Sequence, residues 1–331
     1  MKFALIAPLR FVSAFVMLAV LTLAMAVEAQ QPGRVYQVGV VYQGGSYAPA
    51  IEGLRDGLKE LKLEEGKHFV LHLRDARGEL KAVEAAASGL EAEKVDLICT
   101  LATSVTLAAK RATTRVPIVF YAGTDPVAVG LVENFRKPGG RLTGVHGQAT
   151  DLTAKRLELL KAMVPNMRRA VAFYNPENVA AKRSLMIGHD AARQLKVQII
   201  ERPVTSVDAL RAGLLALRPG EFDAYLNISD AMMISHSELV IEATRAKRLP
   251  AMFPDKESVA KGALASYGLS YYTVGRMLGK PIQRILAGAD PGDMPVEQLD
   301  RLNFVINLKT ARALGLTIPQ SVLGRADEVI E

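Results

Sequence analysis

Short apolar runs alternate with amphipathic stretches along most of the chain. Val38 to Tyr42 is brief, apolar and β-branched, which predicts a buried strand. Ile51, Leu54, Leu58 and Leu61 then fall at helical spacing, with Arg55, Lys59 and Glu60 elsewhere on the circumference. Phe69 to Leu73 reads as the next strand, and Leu80, Val83, Ala87 and Leu90 mark the next helix. Val95 to Leu101, a helix from Ser104, and a strand from Pro117 to Tyr121 continue the rhythm. Strands separated by helices of this length build parallel βαβ units.

The pattern restarts past a junction at Leu142 to Ala149, which holds Gly144 and Gly147 and no long linker. Leu157, Leu160 and Val164 lie on one face of a helix that begins near Leu152 and stops at Pro165. Strands are expected at Ala170–Tyr174, Val197–Glu201, Asp223–Ile228, Ala251–Phe253 and Ala263–Tyr267, with helices at Ala180–Leu195, Val207–Leu217 and Ser237–Lys247 between them. The fold class is therefore α/β, with two doubly wound parallel-sheet lobes joined by a hinge. The tail adds a helix at Thr273–Ala287, a strand at Phe304–Leu308 and a short helix at Thr310–Leu314. That is too little for a third domain, so the chain is expected to recross the hinge after Tyr267 and again near residue 300. Lobe 1 is then 34–146 plus about 269–299, and lobe 2 is 147–268 plus about 300–331.

The first residues add a compartment. Lys2 and Arg10 precede an apolar stretch from Phe11 to Val27, and small residues follow at Ala24, Ala26 and Ala29. This is the layout of a secretory signal peptide over residues 1–29, cleaved after Ala29 or after Ala26, which places the mature chain in the periplasm. Cys99 is the single cysteine and falls in an apolar run, so it reads as a small buried hydrophobe with no disulfide or metal role. The net charge of +7 is spread thinly, and the chain has no tryptophan. Nucleic-acid binders concentrate basic residues on one face and add stacking aromatics, so that class is set aside.

Ligands of open parallel sheets bind beyond the carboxyl ends of the strands. The residues there that carry polar or aromatic side chains are Gln43 and Ser46 after the first strand, Thr103 and Ser104 after the third, and Asp125 after the fourth. In the second half they are Tyr174, Asn175, Asp230 and Tyr267. Each alone is an ordinary turn or cap residue. Together they put two polar edges where a hinge makes them face across a cleft. His146, near the lobe crossing, is the histidine best placed to join them. The chain carries no G-x-G-x-x-G, no G-x-x-x-x-G-K-[ST] and no G-x-S-x-G, and no His/Cys metal spacing, so neither catalysis, a cofactor nor a metal is expected.

Several segments carry a family likeness: Ala112-Thr113-Thr114 to Phe120, Thr124-Asp125-Pro126-Val127, Pro138-Gly139-Gly140-Arg141-Leu142-Thr143-Gly144, Gly262 to Gly268, and Val305-Ile306-Asn307-Leu308-Lys309-Thr310-Ala311. In these the chain resembles the ABC-type substrate-binding proteins of the tryptophan/tyrosine kind. The resemblance implies a periplasmic-binding-protein fold of type I with three hinge crossings. It implies a monomer that captures a small solute, an amino acid or a related carboxylate, and delivers it to an inner-membrane permease with a cytoplasmic ATPase. It also implies cleft-facing roles for Ser46, Thr103, Ser104, Asp125, Asn175 and Asp230. In such a receptor a carboxylate is expected to meet the N–H groups at Thr103 and Ser104, and an ammonium to meet Asp230 or Asp125. A sensory receptor of the same fold is the alternative, and a periplasmic enzyme a more distant one.

Overall fold

The computed structural model describes residues 34–331. The signal peptide expected over residues 1–29 lies outside the described residues. The first sheet contains β1 (Tyr36–Tyr42), β2 (Phe69–Asp75), β3 (Leu97–Leu101), β4 (Ile118–Ala122), β5 (Leu142–His146) and the short β11 (Glu297–Gln298). Its order is β11-β5-β4-β3-β1-β2, with every pair parallel. The three strands β3, β4 and β5 are buried along their whole length, because helices cover both faces of the sheet. The stretch read as a junction is thus partly a strand: Leu142, Thr143 and Val145 are fully or nearly buried and sit in register with Ile118, Val119 and Tyr121.

The second sheet contains β6 (Arg169–Tyr174), β7 (Gln198–Pro203), β8 (Ala224–Leu226), β9 (Ala251–Asp255), β10 (Ala265–Leu269), β12 (Asn303–Asn307) and β13 (Glu328–Ile330). Its order is β13-β12-β10-β9-β8-β6-β7, and β12 runs antiparallel to β10. One face packs on α4 (Thr153–Met163) and α5 (Val179–Leu195) through Leu157, Leu160, Ala181 and Leu185. The other packs on α6 (Val207–Ala216) and on α8 (Ser237–Ala246), which follows the short α7 (Ala231–Ser235), through Leu210, Leu214, Val240 and Ile241.

The chain passes between the sheets three times: between β5 and α4, between β10 and α10 (Tyr271–Leu286), and between β11 and β12. After the second passage α10 is held against the first sheet by α1 (Pro49–Glu60). A Cβ on Gly53 would stand 2.0 Å from the Tyr272 carbonyl oxygen, and one on Gly275 2.0 Å from that of Ala50. The two helix backbones meet where only glycine fits. The tail strand β13, absent from the periodicity reading, is the edge of the second sheet, pairing Glu328, Val329 and Ile330 with β12.

Candidate ligand-binding cleft

A small cavity lies between the carboxyl edges of the two sheets. On the side of the first sheet its wall is Thr103 and Ser104 at the start of α3 (Thr103–Ala112), and Gly123 and Thr124 after β4. Ala149 and Thr150, on the first passage between lobes, close one end. Asn178, Ala180, Ser229, Ala231 and Ile234 supply the side of the second sheet.

The α3 edge is built to receive an electron-rich group. The residue before the helix, Ala102, has φ of 100°, a strained value for a side chain other than glycine, and no side chain caps the helix. The first backbone N–H groups of a helix have no acceptor within it, and its dipole favours negative charge there. Ser104 Oγ is buried without a hydrogen-bond partner, while Thr103 Oγ1 accepts from the Thr124 N–H at 3.2 Å.

Three tyrosines form the aromatic part of the lining. The Tyr47 and Tyr271 rings are 4.5 Å apart between centroids, and Tyr121 meets Tyr271 edge-on at 6.0 Å. Burial raises the pKa of all three phenols, so they stay neutral hydroxyls.

The lobes are in contact around the cavity. Ser46, in the 3₁₀ turn Gly45–Tyr47, meets Ser237 Oγ at 2.9 Å and Ser258 Oγ at 3.3 Å across the cleft. The Ser235 hydroxyl donates to the Gln43 carbonyl. These two expected site residues therefore clasp the lobes rather than line the cavity. The Gln43 side-chain amide is fully buried with no partner of its own.

Thr103 and Ser104 are the expected residues that the fold brings to the wall. The others serve their own turns. Asp125 Oδ1 accepts from the N–H of Val127 and of Ala128, at 2.9 and 3.1 Å, which closes the loop after β4. Asn175 Oδ1 takes the Glu177 N–H at 2.9 Å. Tyr174 is not part of the cavity wall. The Tyr267 ring packs edge-on against Phe304 at 6.3 Å. His146 is buried against Phe135, with burial holding its pKa down, and is not part of the wall.

Asp230 does not line the cavity. It is fully buried and caps α7, with Oδ1 accepting from the Met232 N–H at 2.8 Å and Oδ2 from the Asn175 N–H at 2.7 Å. Burial pushes its pKa up to about 6, and the donors from Asn175, Met232, Met233 and Asn178 hold it below where burial alone would put it. Its work is to tie the loop after β6 to the start of α7, and so to position Asn178. Asp230→Ala should therefore lower the unfolding free energy of the ligand-free protein by about 2–4 kcal/mol, because several buried N–H groups lose their acceptor. Urea unfolding without ligand measures this; an unchanged midpoint would return Asp230 to the ligand.

Tyr121, Tyr271, Thr150 and Ser229 complete the wall, and only Ser229 was legible as a strand-end residue. Behind the wall stands Arg156, fully buried, which donates to the Ala149 carbonyl at 2.7 Å and to Ser229 Oγ at 3.1 Å. Its signal in the sequence was the spacing Leu152, Arg156, Leu160, which puts a guanidinium on the apolar face of its helix.

Two α/β sheets with three passages between them, closed over a small polar and aromatic cavity, define a solute-binding protein of the periplasmic type. The chain belongs to the family of ABC transporter substrate binding proteins, whose family model matches residues 37–330. It is 28% identical over 267 residues to a tyrosine-binding protein of Clostridioides difficile, covering 81% of this chain and 76% of that one. It superposes with a TM-score of 0.79 on an ABC domain from Streptococcus pneumoniae in complex with L-Trp, at 27% identity over 90% of this chain and all of that one. The ligand-free, open structure of a substrate binding protein from Clostridium difficile matches at 0.59, with 25% identity over 90% of this chain and 99% of that one. Among the described residues no helix is long and apolar enough to cross a membrane.

Proposed function

We propose that this protein captures an aromatic L-amino acid in the periplasm, after loss of a leader cut at Ala29, and presents it to an inner-membrane permease driven by a cytoplasmic ATPase. It acts as a monomer and alters no bond in its ligand. Its two lobes, 34–146 with about 269–299 and 147–268 with about 300–331, swing about the three passages between the sheets.

The observation that carries the reading is the pairing of an uncapped helix N-terminus with a tyrosine-rich wall in one cavity between the lobes. A carboxylate fits the N–H groups of Thr103 and Ser104 and the free Ser104 hydroxyl. A flat ring packs on Tyr47, Tyr121 and Tyr271. Among the described residues no carboxylate lines the cavity, so the α-ammonium is given a neutral acceptor, Asn178 Oδ1, in place of Asp125 or Asp230. The relatives support the choice of ligand, since one binds tyrosine by name and another was solved with L-Trp. At nearly equal identity, the higher TM-score is with the ligand-bound relative and the lower with the open one, in keeping with the closed lobes here.

Titration calorimetry on protein stripped of ligand by mild denaturation and refolding tests this. L-Trp, L-Tyr or L-Phe should bind with a dissociation constant of about 1 μM or tighter, which corresponds to about 8 kcal/mol. Leucine and the D-enantiomers should bind at least roughly tenfold more weakly, having lost the ring contact or the three-point fit. Preference for an aliphatic amino acid or a polyol, or no response to any of the three, would overturn the assignment.

A further inference from the structure

Arg156 lies in the first turns of α4 with none of its surface exposed. Its hydrogen bonds all go to neutral oxygens: the carbonyls of Ala149 at 2.7 Å and Tyr267 at 3.4 Å, and the hydroxyls of Thr153 at 2.9 Å and Ser229 at 3.1 Å. Its Nε is buried with no acceptor. Among the described residues no carboxylate comes within salt-bridge distance of it. The acid that acts on it from further away is Asp255, whose own burial drives it toward the neutral form. Tyr121 and Tyr271 face it from the other side of the cleft, also as neutral groups.

A buried guanidinium is ordinarily paired, because an unbalanced charge in a dry interior is costly. Here the missing charge has an obvious place. Two of the four acceptors, Ala149 and Ser229, are cavity wall, so the cation stands one residue behind the space where a solute sits. The uncapped α3 N-terminus adds positive potential from the opposite wall. Two of its acceptors also lie at the passages between lobes: Ala149 on the first, and Tyr267 just before the second.

We propose that Arg156 makes closure of the cleft conditional on a solute that carries a carboxylate. With the lobes apart the guanidinium is reached by water from the cleft. When they close, the water leaves and the carboxylate of the solute supplies the balancing charge. An empty cleft, or one holding only an amine, closes on an unbalanced cation and so opens again. Arg156 is a positioning residue that acts through Ser229 and through its charge, without itself forming the cavity surface. The binding arm of the test rests on the aromatic amino acid reading above, and the scattering arm does not.

The experiment compares wild type, Arg156→Met and Arg156→Lys, each stripped of ligand. Solution scattering of the empty proteins should find wild type and Arg156→Lys extended, and Arg156→Met compact, with a clearly smaller radius of gyration than either. Calorimetry with L-tyrosine and tyramine should show the acid-to-amine affinity ratio falling roughly 100-fold in Arg156→Met, and staying within roughly tenfold of wild type in Arg156→Lys. A purely structural role would weaken both ligands alike and leave the ratio unchanged. An empty Arg156→Met protein as extended as wild type, or an unaltered ratio, overturns the proposal. If wild type binds no aromatic amino acid, the function proposed above fails while the scattering comparison still decides this one. Should Arg156→Met not fold, Arg156→Gln, uncharged but able to donate to Ala149 and Ser229, takes its place.

Discussion

Gly45→Val is expected to leave both lobes folded and to weaken ligand binding by at least roughly 100-fold. Gly45 opens the 3₁₀ turn after β1, with φ of 59°, and faces the second lobe. A Cβ built there would stand 1.9 Å from the Ser235 carbonyl oxygen, a backbone atom that cannot step aside. The lobes would be wedged apart, and the Ser46–Ser237 contact at 2.9 Å and the Ser235–Gln43 contact would be lost together. A ligand that touches both walls binds only when they meet, so its affinity falls by what closure contributes. Positive φ also strains valine, and asparagine tolerates that region better. Gly45→Asn keeps the wedge while easing the strain, so it should be as defective as Gly45→Val. Calorimetry with L-Trp and scattering with saturating ligand check both variants. Near-normal affinity in Gly45→Asn would place the cause in the turn and not in closure.

The second large effect is a loss of stability with rising pH. Asp255, fully buried, and Glu257, half-buried, lie together where β9 leads into the short helix α9 (Lys256–Ala260). Burial, and then the negative charge of Asp255, push Glu257 up to about 7, while the Ser270 hydroxyl and the Tyr272 N–H pull it down. Burial raises Asp255 as well, against the Ser258 hydroxyl and N–H, the Ser46 hydroxyl and the charge of Lys261. A carboxyl raised in the folded state binds its proton more tightly there than in the unfolded chain. Its contribution is therefore fully present below the ordinary value of 4.5 and is lost as pH climbs through about 7. For Glu257 the loss is on the order of 3 kcal/mol. Asp230, raised to about 6, adds to the same trend over a lower window.

The acids also reach across the cleft. Glu257 Oε1 accepts from Ser270 Oγ at 2.8 Å, beside the start of α10, and Asp255 Oδ1 accepts from the Ser258 hydroxyl, which lies 3.3 Å from that of Ser46 in the other lobe. Ligand should accordingly bind more tightly at pH 6 than at pH 8, with proton uptake. Thermal melts and calorimetry across pH 5 to 8 should show the slope in wild type and a shallower one in Glu257→Gln, whose amide keeps a hydrogen-bonding oxygen but cannot ionise. Parallel curves for the two proteins would remove Glu257 as the source.

Periodicity settled the class of fold. Runs such as Val38–Tyr42 and Pro117–Tyr121, spaced by amphipathic helices, are local patterns, and a buried parallel sheet with helices on both faces satisfies them. The apolar setting of Cys99 was legible in the same way, and its thiol is fully buried. Local pattern failed where one strand borrows its partners from far along the chain. Leu142–Ala149 looked like a link because Gly144 and Gly147 interrupt it, yet the Cβ position of Gly144 lies 1.9 Å from the Phe120 carbonyl oxygen, so the absence of a side chain is what lets the strands pair.

The site divided along the same line. Thr103 and Ser104 were found because a helix N-terminus at a strand end is marked by adjacent residues. Asp125, Asn175 and Asp230 have the same marking, and only the folded chain shows that their oxygens are spent on Val127, Glu177 and Met232. Arg156 joins the cavity region from inside a helix that no strand-end rule reaches, and Tyr271, two residues past β10, falls in the gap between the strand expected to end at Tyr267 and the helix expected from Thr273. Ser46 meets Ser237 across 191 residues of sequence. The sequence alone determines which face of each element is apolar, because that depends on spacings of two and 3.6 residues. Which polar groups face the ligand is decided by how two independently folded sheets come together, and no spacing within either of them records that placement.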